Sequence, residues 1–144
     1  MSDIKVQIAE TDEQILKCWD ALHALRPHLI EADFLPLIRE IQTSGYILAY
    51  VESNGKAAAI IGYRYLHFLF NGKHIYIDDL STLPEARGKG FGSALLDFVK
   101  NEAQQRGLKT VTLDSGHHRY DAHRLYLKEG YKIMAHHFLL TLKE

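Results

Sequence analysis

The chain carries almost no excess charge, one cysteine, no internal repeat and no long apolar run, and each shortage removes a class of function. Seventeen Lys and Arg stand against 18 Asp and Glu in 144 residues, a formal net charge of −1. That balance lacks the broad positive field by which nucleic-acid and anionic-membrane binders capture their partners, so neither kind of partner is expected. Cys18, the lone cysteine, can form no internal disulfide, and neither a CxxC pair nor a Cys/His zinc spacing occurs. A reducing compartment, the cytoplasm, is the expected location. No stretch approaches the roughly 18 apolar residues of a membrane span. Residues 1–10 are polar and mixed, without the apolar centre of a secretion signal, so a soluble, unprocessed chain is expected. What is present is a 47% hydrophobic fraction against 24% charged residues, enough to bury a core within one domain spanning 1–144.

Ile4, Val6 and Ile8 alternate with polar or small neighbours, the period of a half-buried strand, and Thr11-Asp12-Glu13 then offers helix N-cap chemistry. Ile15, Leu16, Trp19, Leu22 and Leu25 recur at helical spacing up to Pro27, and Phe34, Leu37, Ile38 and Ile41 form a second helical stripe closed by Gly45. From Tyr46 the character changes. Tyr46–Glu52, Lys56–Phe70 and Lys73–Leu80 are rich in strand formers, separated by Ser53-Asn54-Gly55 and Asn71-Gly72. Asn-Gly between such runs signals hairpins, so three strands in an antiparallel meander are expected. A glycine-rich turn at 88–92 then opens a helix with the apolar face Leu95, Leu96, Val99 and Ala103, and Gly107 is placed to cap it. Thr110–Leu113 reads as a strand, Asp121–Glu129 as a short helix ended by Gly130, and Tyr131–Leu142 as two further strands or one bent pair. This order describes an α/β fold: a mixed, mostly antiparallel sheet flanked by helices.

The segment from Leu80 to Leu96 is the most informative. Glycines at 88, 90 and 92 permit positive φ and turn consecutive N–H groups inward, where the following helix points its positive end. Such a nest suits a pyrophosphate. Arg87 and Lys89 add rim charge worth roughly 0.3–1 kcal/mol per solvated contact. The plain alternative is a tight turn and nothing more. It is not a P-loop, because no Gly-Lys-Ser/Thr follows at the needed offset, nor a dinucleotide fingerprint, because the preceding strand belongs to a meander.

Arg87-Gly88-Lys89-Gly90-Phe91-Gly92 resembles the Arg/Gln-x-x-Gly-x-Gly/Ala signature of GCN5-related N-acetyltransferases (GNAT). Leu80–Glu85 looks like the strand end before that signature. Ala122-His123-Arg124-Leu125-Tyr126-Leu127-Lys128-Glu129-Gly130-Tyr131 is similar to the family's Ala-x-x-Leu/Phe-Tyr-x-x-x-Gly-Phe/Tyr element. With the element order, the resemblance covers nearly the whole chain. It implies acetyl-CoA as co-substrate and transfer of its acetyl group to a primary amine of a small molecule.

The resemblance further implies that the backbone of Leu80 and Thr82 pairs with the pantetheine arm and that residues Arg87, Gly88, Lys89, Gly90, Phe91, Gly92 and Ser93 cradle the pyrophosphate. The Leu80 N–H is then the expected oxyanion donor. Tyr126 falls where the family places a tyrosine beside the departing sulfur. A phenol, near pKa 10 against about 8.5 for a thiol, stays protonated at neutral pH and can act as general acid. Packing on the face shared with Ala122 and Leu125 is the alternative for Tyr126. Where family members often carry an asparagine that contacts CoA, this chain has Arg119; Arg119 and Arg124 are candidates for a CoA phosphate. The run Asp121–Tyr126 looks like the version in aminoalkylphosphonate acetyltransferases.

The attacking amine must lose its proton to a base or a water chain. Asp78 and Asp79 lie on the strand before the loop, and strand alternation puts them on opposite faces, with Asp79 the preferred base; surface charge, bulge capping or binding of a cationic amine are the other roles open to them. Arg26 and His28 lie between the two early helices, which line the acceptor pocket in the resembling family; Arg26 either meets an acidic acceptor or pairs with Glu31. Tyr63, Tyr65, His67, Phe68 and Phe70 floor the same pocket or pack as ordinary strand formers. The nine histidines include two adjacent pairs, 117-118 and 136-137. Neighbours on a strand face opposite ways, and no ligand spacing is completed, so no metal site is expected. Cys18 is remote from the motifs, so direct attack in a ternary complex is expected rather than an acetyl-cysteine intermediate. Acetylation of a protein or peptide amine, and a non-catalytic acyl-CoA sensor, are the rival functions; a homodimer is an open possibility.

Overall fold

The computed structural model describes residues 3–143. Two compact units divide the chain, Met1–Leu113 and Asp114–Glu144.

The first unit is built on a five-stranded sheet in the order β1-β2-β3-β4-β5. Its strands are β1 (Gln7–Ile8), β2 (Ile47–Ser53), β3 (Lys56–Phe68), β4 (Gly72–Thr82) and β5 (Val111–Leu113). The first four pair antiparallel and β5 runs parallel to β4, so the expected mixed, mostly antiparallel sheet is present. Asn54 and Gly55 take φ 57° and 80°, the double positive φ that a two-residue hairpin needs. The second hairpin is looser. Only Gly72 has positive φ there (68°), and Leu69, Phe70 and Asn71 lie between the strands.

Both faces of the sheet are buried. Leu48, Tyr50, Ala58 and Ile60 gather with Ile15, Ala21, Leu22, Phe34 and Ile38 of three early helices into one cluster. The alternate residues Ala49, Val51, Ala59 and Ile61 are buried as well. Alternation turns these to the opposite face, where helix α4 (Phe91–Gln105) packs on β2, β3 and β4. Its buried residues are Leu95, Leu96, Val99 and Ala103, the stripe read from the sequence. Gly107 (φ 70°) ends α4 as foreseen: its N–H donates to Gln104 O and that of Leu108 to Ala103 O, the paired bonds of a Schellman motif.

Three expectations need correction here. The early apolar stripe is two helices, α1 (Asp12–Lys17) and α2 (Trp19–Leu25), joined at Cys18; α3 (Glu31–Gln42) follows. β1 shrinks to Gln7–Ile8, the residues in register with Tyr50 and Ala49 of β2, with one further bond from the Ala9 N–H to Leu48 O. In the second unit, helix α5 (Tyr120–Lys128) forms and Gly130 (φ 95°) closes it, but no strand follows among the described residues. Ile133, Met134, Phe138, Leu139, Leu140 and Leu142 are each at least 75% exposed. Strand preference is realised only against a neighbouring strand, and no ladder reaches Tyr131–Leu142.

Candidate active site

The glycine loop forms the entrance to α4. After β4, Leu83 and Ala86 are buried around the 3-10 turn Pro84–Ala86, which anchors the approach. Gly88 and Gly90 take φ 78° and 84°, and Gly90 is the N-cap of α4. Gly92 is helical, so two of the three glycines supply left-handed backbone. A Cβ at Gly88 would meet nothing within 4 Å, and one at Gly90 only Ile4 Cδ1 at 3.8 Å; glycine is demanded there by conformation, not by crowding. No side chain caps α4, and its first turn holds no acidic residue. The amides of Phe91, Gly92 and Ser93 therefore have no partner inside the helix and stand at its positive end. Phe91 packs against the core, while Arg87 and Lys89 are exposed at the rim.

β4 leads into this loop with one edge open. Its pairing with β5 ends at Ile77↔Leu113, whereas its pairing with β3 runs on to Thr82↔Ala59. Leu83 N–H donates to Ala58 O, toward β3. Alternation then turns the backbone groups of Thr82 and Leu80 outward, to the side that β5 has left.

A bulge sits where β5 departs. Gly62 faces Asp79 but the next residue, Tyr63, faces Ile77, so Asp78 is the extra residue. The expected alternation of Asp78 and Asp79 is broken at this point, because a bulge sets two successive residues against one on the partner strand. Both carboxylates join one network. Arg26, at the C-cap of α2, donates from Nε (3.1 Å) and Nη2 (2.9 Å) to Asp79 Oδ1, and from Nη2 to the Asp78 carbonyl (3.1 Å). Tyr46 Oη donates to Asp79 Oδ2 at 2.8 Å. Arg64 grips Asp78 with Nε at 3.0 and 3.1 Å and Nη2 at 2.6 Å, and its guanidinium lies 5.6 Å from the Tyr46 ring centre, within cation–π reach. Burial first, and Asp79 second, push the Tyr46 phenol well above its ordinary value. It is a permanent donor. Arg26 thus pairs with Asp79, not with Glu31, and keeps 40% of its side-chain surface exposed. His28 is exposed in the loop after α2.

Of the aromatic run on β3, Tyr63 is buried in the core while Phe68 and Phe70 are 45% and 74% exposed near the hairpin tip. Burial pushes the Cys18 thiol up to about 12, so it is no nucleophile at neutral pH. Within the second unit, partial burial raises the Tyr126 phenol and Arg119 opposes that rise. The Tyr126 ring lies 6.0 Å from that of Tyr131. Arg119 is the N-cap residue of α5, and Arg124 pairs with Asp121 on its exposed surface. No group of three or more His, Cys, Asp or Glu side chains is arranged to hold a metal among the described residues, and no helix among them is long and apolar enough to cross a membrane.

The sequence profile of the acetyltransferase (GNAT) family matches residues 11–131, a span that includes the glycine loop, the bulge and α5. The chain belongs to that family. The GNAT relatives include an uncharacterized N-acetyltransferase, YhdJ, of Bacillus subtilis, 34% identical over 128 residues that cover 88% of this chain and 90% of the relative. The aminoalkylphosphonate N-acetyltransferase of Salmonella typhimurium is 40% identical over 92 residues, covering 61% of this chain and 56% of that enzyme. Among solved structures, a predicted acetyltransferase from Clostridium acetobutylicum crystallised with acetyl-CoA has a similar fold at a TM-score of 0.75 and 19% identity, with 96% of each chain covered. Acetyl transfer is the enzyme class of this family, as the sequence resemblance implied.

Three residues of this GNAT site escaped sequence reasoning: Tyr46, Gly62 and Arg64. Gly62 left the one usable signal, an isolated glycine in an apolar strand, which marks a bulge or a close approach. Here it marks both, since a Cβ at Gly62 would lie 1.9 Å from Tyr46 Oη.

Proposed function

We propose that the protein moves the acetyl group of acetyl-CoA to a primary amine of a small molecule by direct attack in a ternary complex. We take residues 1–144 as one such catalytic domain, its residues 1, 2 and 144 lying outside those described. The observation that carries the reading is the uncapped, glycine-led start of α4 beside the open edge of β4. Amides at Arg87–Ser93 suit the diphosphate of the donor, and outward backbone at Leu80 and Thr82 suits the amide groups of its pantetheine arm. The Leu80 N–H is the natural oxyanion donor for the thioester carbonyl. Arg119 is the better candidate for a CoA phosphate, since Arg124 already has Asp121 as partner.

Tyr126 is the proposed general acid to the departing thiolate. Its raised phenol pKa keeps it a proton donor throughout the neutral range, and activity that depends on it is lost only as pH rises past the ordinary phenol value of about 10. Asp78 and Asp79 stand on the acceptor side. With each carboxylate already held by an arginine, a water chain is the better route for the amine proton. Arg26 and His28 face the acceptor. The name of the Salmonella relative, an aminoalkylphosphonate N-acetyltransferase, supports a small amine.

Calorimetry with acetyl-CoA and a thiol-release assay over amines and peptides test the reading. Micromolar affinity and release above background with a small amine are expected. Affinity without turnover for any acceptor would leave a sensor, turnover with peptides alone a protein acetyltransferase, and no affinity in folded protein would remove the donor site altogether. Tyr126→Phe is expected to lower kcat roughly 100-fold or more with an unchanged Tm; an unchanged kcat removes Tyr126 from the chemistry.

A further inference from the structure

The bulge network holds more than the transferase reading requires. Tyr46 is 3% exposed, immediately precedes β2 and crosses β3 to reach Asp79 on β4. It passes over Gly62, the residue opposite Asp79 in the β3–β4 register, where any side chain would collide with the phenol oxygen and with Cζ at 2.4 Å. The path from Tyr46 to Asp79 exists because position 62 has no side chain. Asp79 then spends one oxygen on Tyr46 and the other on two nitrogens of Arg26. Arg64 closes the ring by gripping Asp78 and lying over the Tyr46 face.

Two chemical consequences follow. A carboxylate whose two oxygens already accept from a phenol and a guanidinium is poorly placed to take a proton or to bind a cationic amine, since either role would break those bonds. Meanwhile the Arg26 head is bonded through Nε and Nη2 to the bulge, and the side chain as a whole keeps two fifths of its surface exposed, beside the stretch of β4 that β5 has left. A guanidinium fixed in orientation is preorganised for a second, planar or tetrahedral anion.

Resting on the transferase reading, we propose that Tyr46 is a positioning residue which, through Asp79 and across Gly62, holds Arg26 to receive an anionic group on the acceptor. The acceptors are small amines that carry their own carboxylate or phosphonate, and Asp79 is a clamp, not the base. Polyamines and other purely cationic acceptors find no unclaimed carboxylate at the bulge.

The test uses acceptor pairs differing only in the anionic group: an amino acid with its amide, and an aminoalkylphosphonate with the matching amino alcohol. For the wild-type protein, kcat/KM is expected to favour the acidic member at least tenfold. Tyr46→Phe keeps the ring and removes the donor. It is expected to raise KM for acidic acceptors about tenfold, with a much smaller effect on kcat, and to leave acetyl-CoA affinity by calorimetry unchanged. Arg26→Gln, at a half-exposed position, is expected to erase the preference, and Arg26→Lys to restore part of it; these variants keep the test decisive should Tyr46→Phe fold poorly. Because Asp79 is not the base, Asp79→Asn is expected to raise KM for the acidic member while the shape of its kcat against pH is kept. A wild-type enzyme that prefers neutral or polycationic amines overturns this proposal and leaves the transferase reading standing, whereas absence of turnover with every amine removes both. A loss confined to kcat in Tyr46→Phe, or loss of the acidic, low-pH limb of kcat in Asp79→Asn, also overturns it.

Discussion

Two helix N-termini in this chain show opposite chemistry. α1 begins with a completed capping box: Thr11 Oγ1 accepts from the Gln14 N–H at 3.1 Å, and Gln14 Oε1 accepts from the Thr11 N–H at 3.0 Å. Asp12 and Glu13 in its first turn oppose the positive end of the dipole, and Arg39 binds Asp12 in turn. α4 begins with Gly90 in a left-handed conformation, without a side-chain cap and without an acidic residue. A cap of the α1 kind is worth about 1 kcal/mol, and the protein forgoes it on a helix more than twice as long. The difference teaches that α1 settles its own amides, whereas α4 has them unmatched by any side-chain cap or first-turn acid, as the proposed diphosphate site requires. The missing cap alone does not single α4 out, because α2, α3 and α5 also lack one; each of those carries an acidic residue in its first turn, and α4 carries none.

The comparison can be broken most severely at Gly90. In Gly90→Val a β-branched residue is forced to φ near 84°, and the strain of roughly 1–3 kcal/mol is expected to weaken acetyl-CoA binding about 10- to 100-fold by calorimetry. Ser93→Glu makes the first turn of α4 resemble that of α1. Its charge complements the dipole, so thermal stability should hold or rise by roughly 0.3–1 kcal/mol, while acetyl-CoA affinity falls about tenfold by repulsion of the diphosphate. Opposite signs in the two measurements are the signature of a helix start kept open for an anion; parallel losses would mean that α4 merely tolerates glycine. Thr11→Ala supplies the reverse control: about 1 kcal/mol of stability lost in a denaturant titration, with Kd for acetyl-CoA unchanged. The smallest effects belong to the rim. Arg87→Ala and Lys89→Ala should each raise Kd about two- to fivefold, an effect that shrinks toward 1 M salt as screening tightens.

Legibility from sequence followed the range of the interactions. The turn at Asn54-Gly55, the buried stripe of α4 and the glycine closures of α4 and α5 rest on contacts within a few residues, and periodicity or a dipeptide reported them correctly. The strands expected over Tyr131–Leu142 rest on a partner that local composition does not name, and there the expectation failed. The candidate site divides along the same line. Its proposed donor side, Leu80 to Ser93, is one continuous segment, and there the expected left-handed backbone is present at Gly88 and Gly90 while Gly92 takes an ordinary helical conformation. Its proposed acceptor side draws on Arg26, Tyr46, Gly62, Arg64, Asp78 and Asp79, on or next to four separate elements. Sequence alone offered three of these as single residues with open roles.

The amino-acid sequence by itself determined the family, the helix and hairpin order and the glycine-led nest, because each depends on the conformational preferences of neighbouring residues. Which partners Asp78 and Asp79 hold was decided only in three dimensions. A one-residue bulge in β4 cancels the alternation that would separate them, and a missing side chain at Gly62 lets the phenol of Tyr46, just before β2, reach across the sheet. Neither event changes the local pattern of hydrophobic and polar residues, so neither could be heard until the strands were set in register.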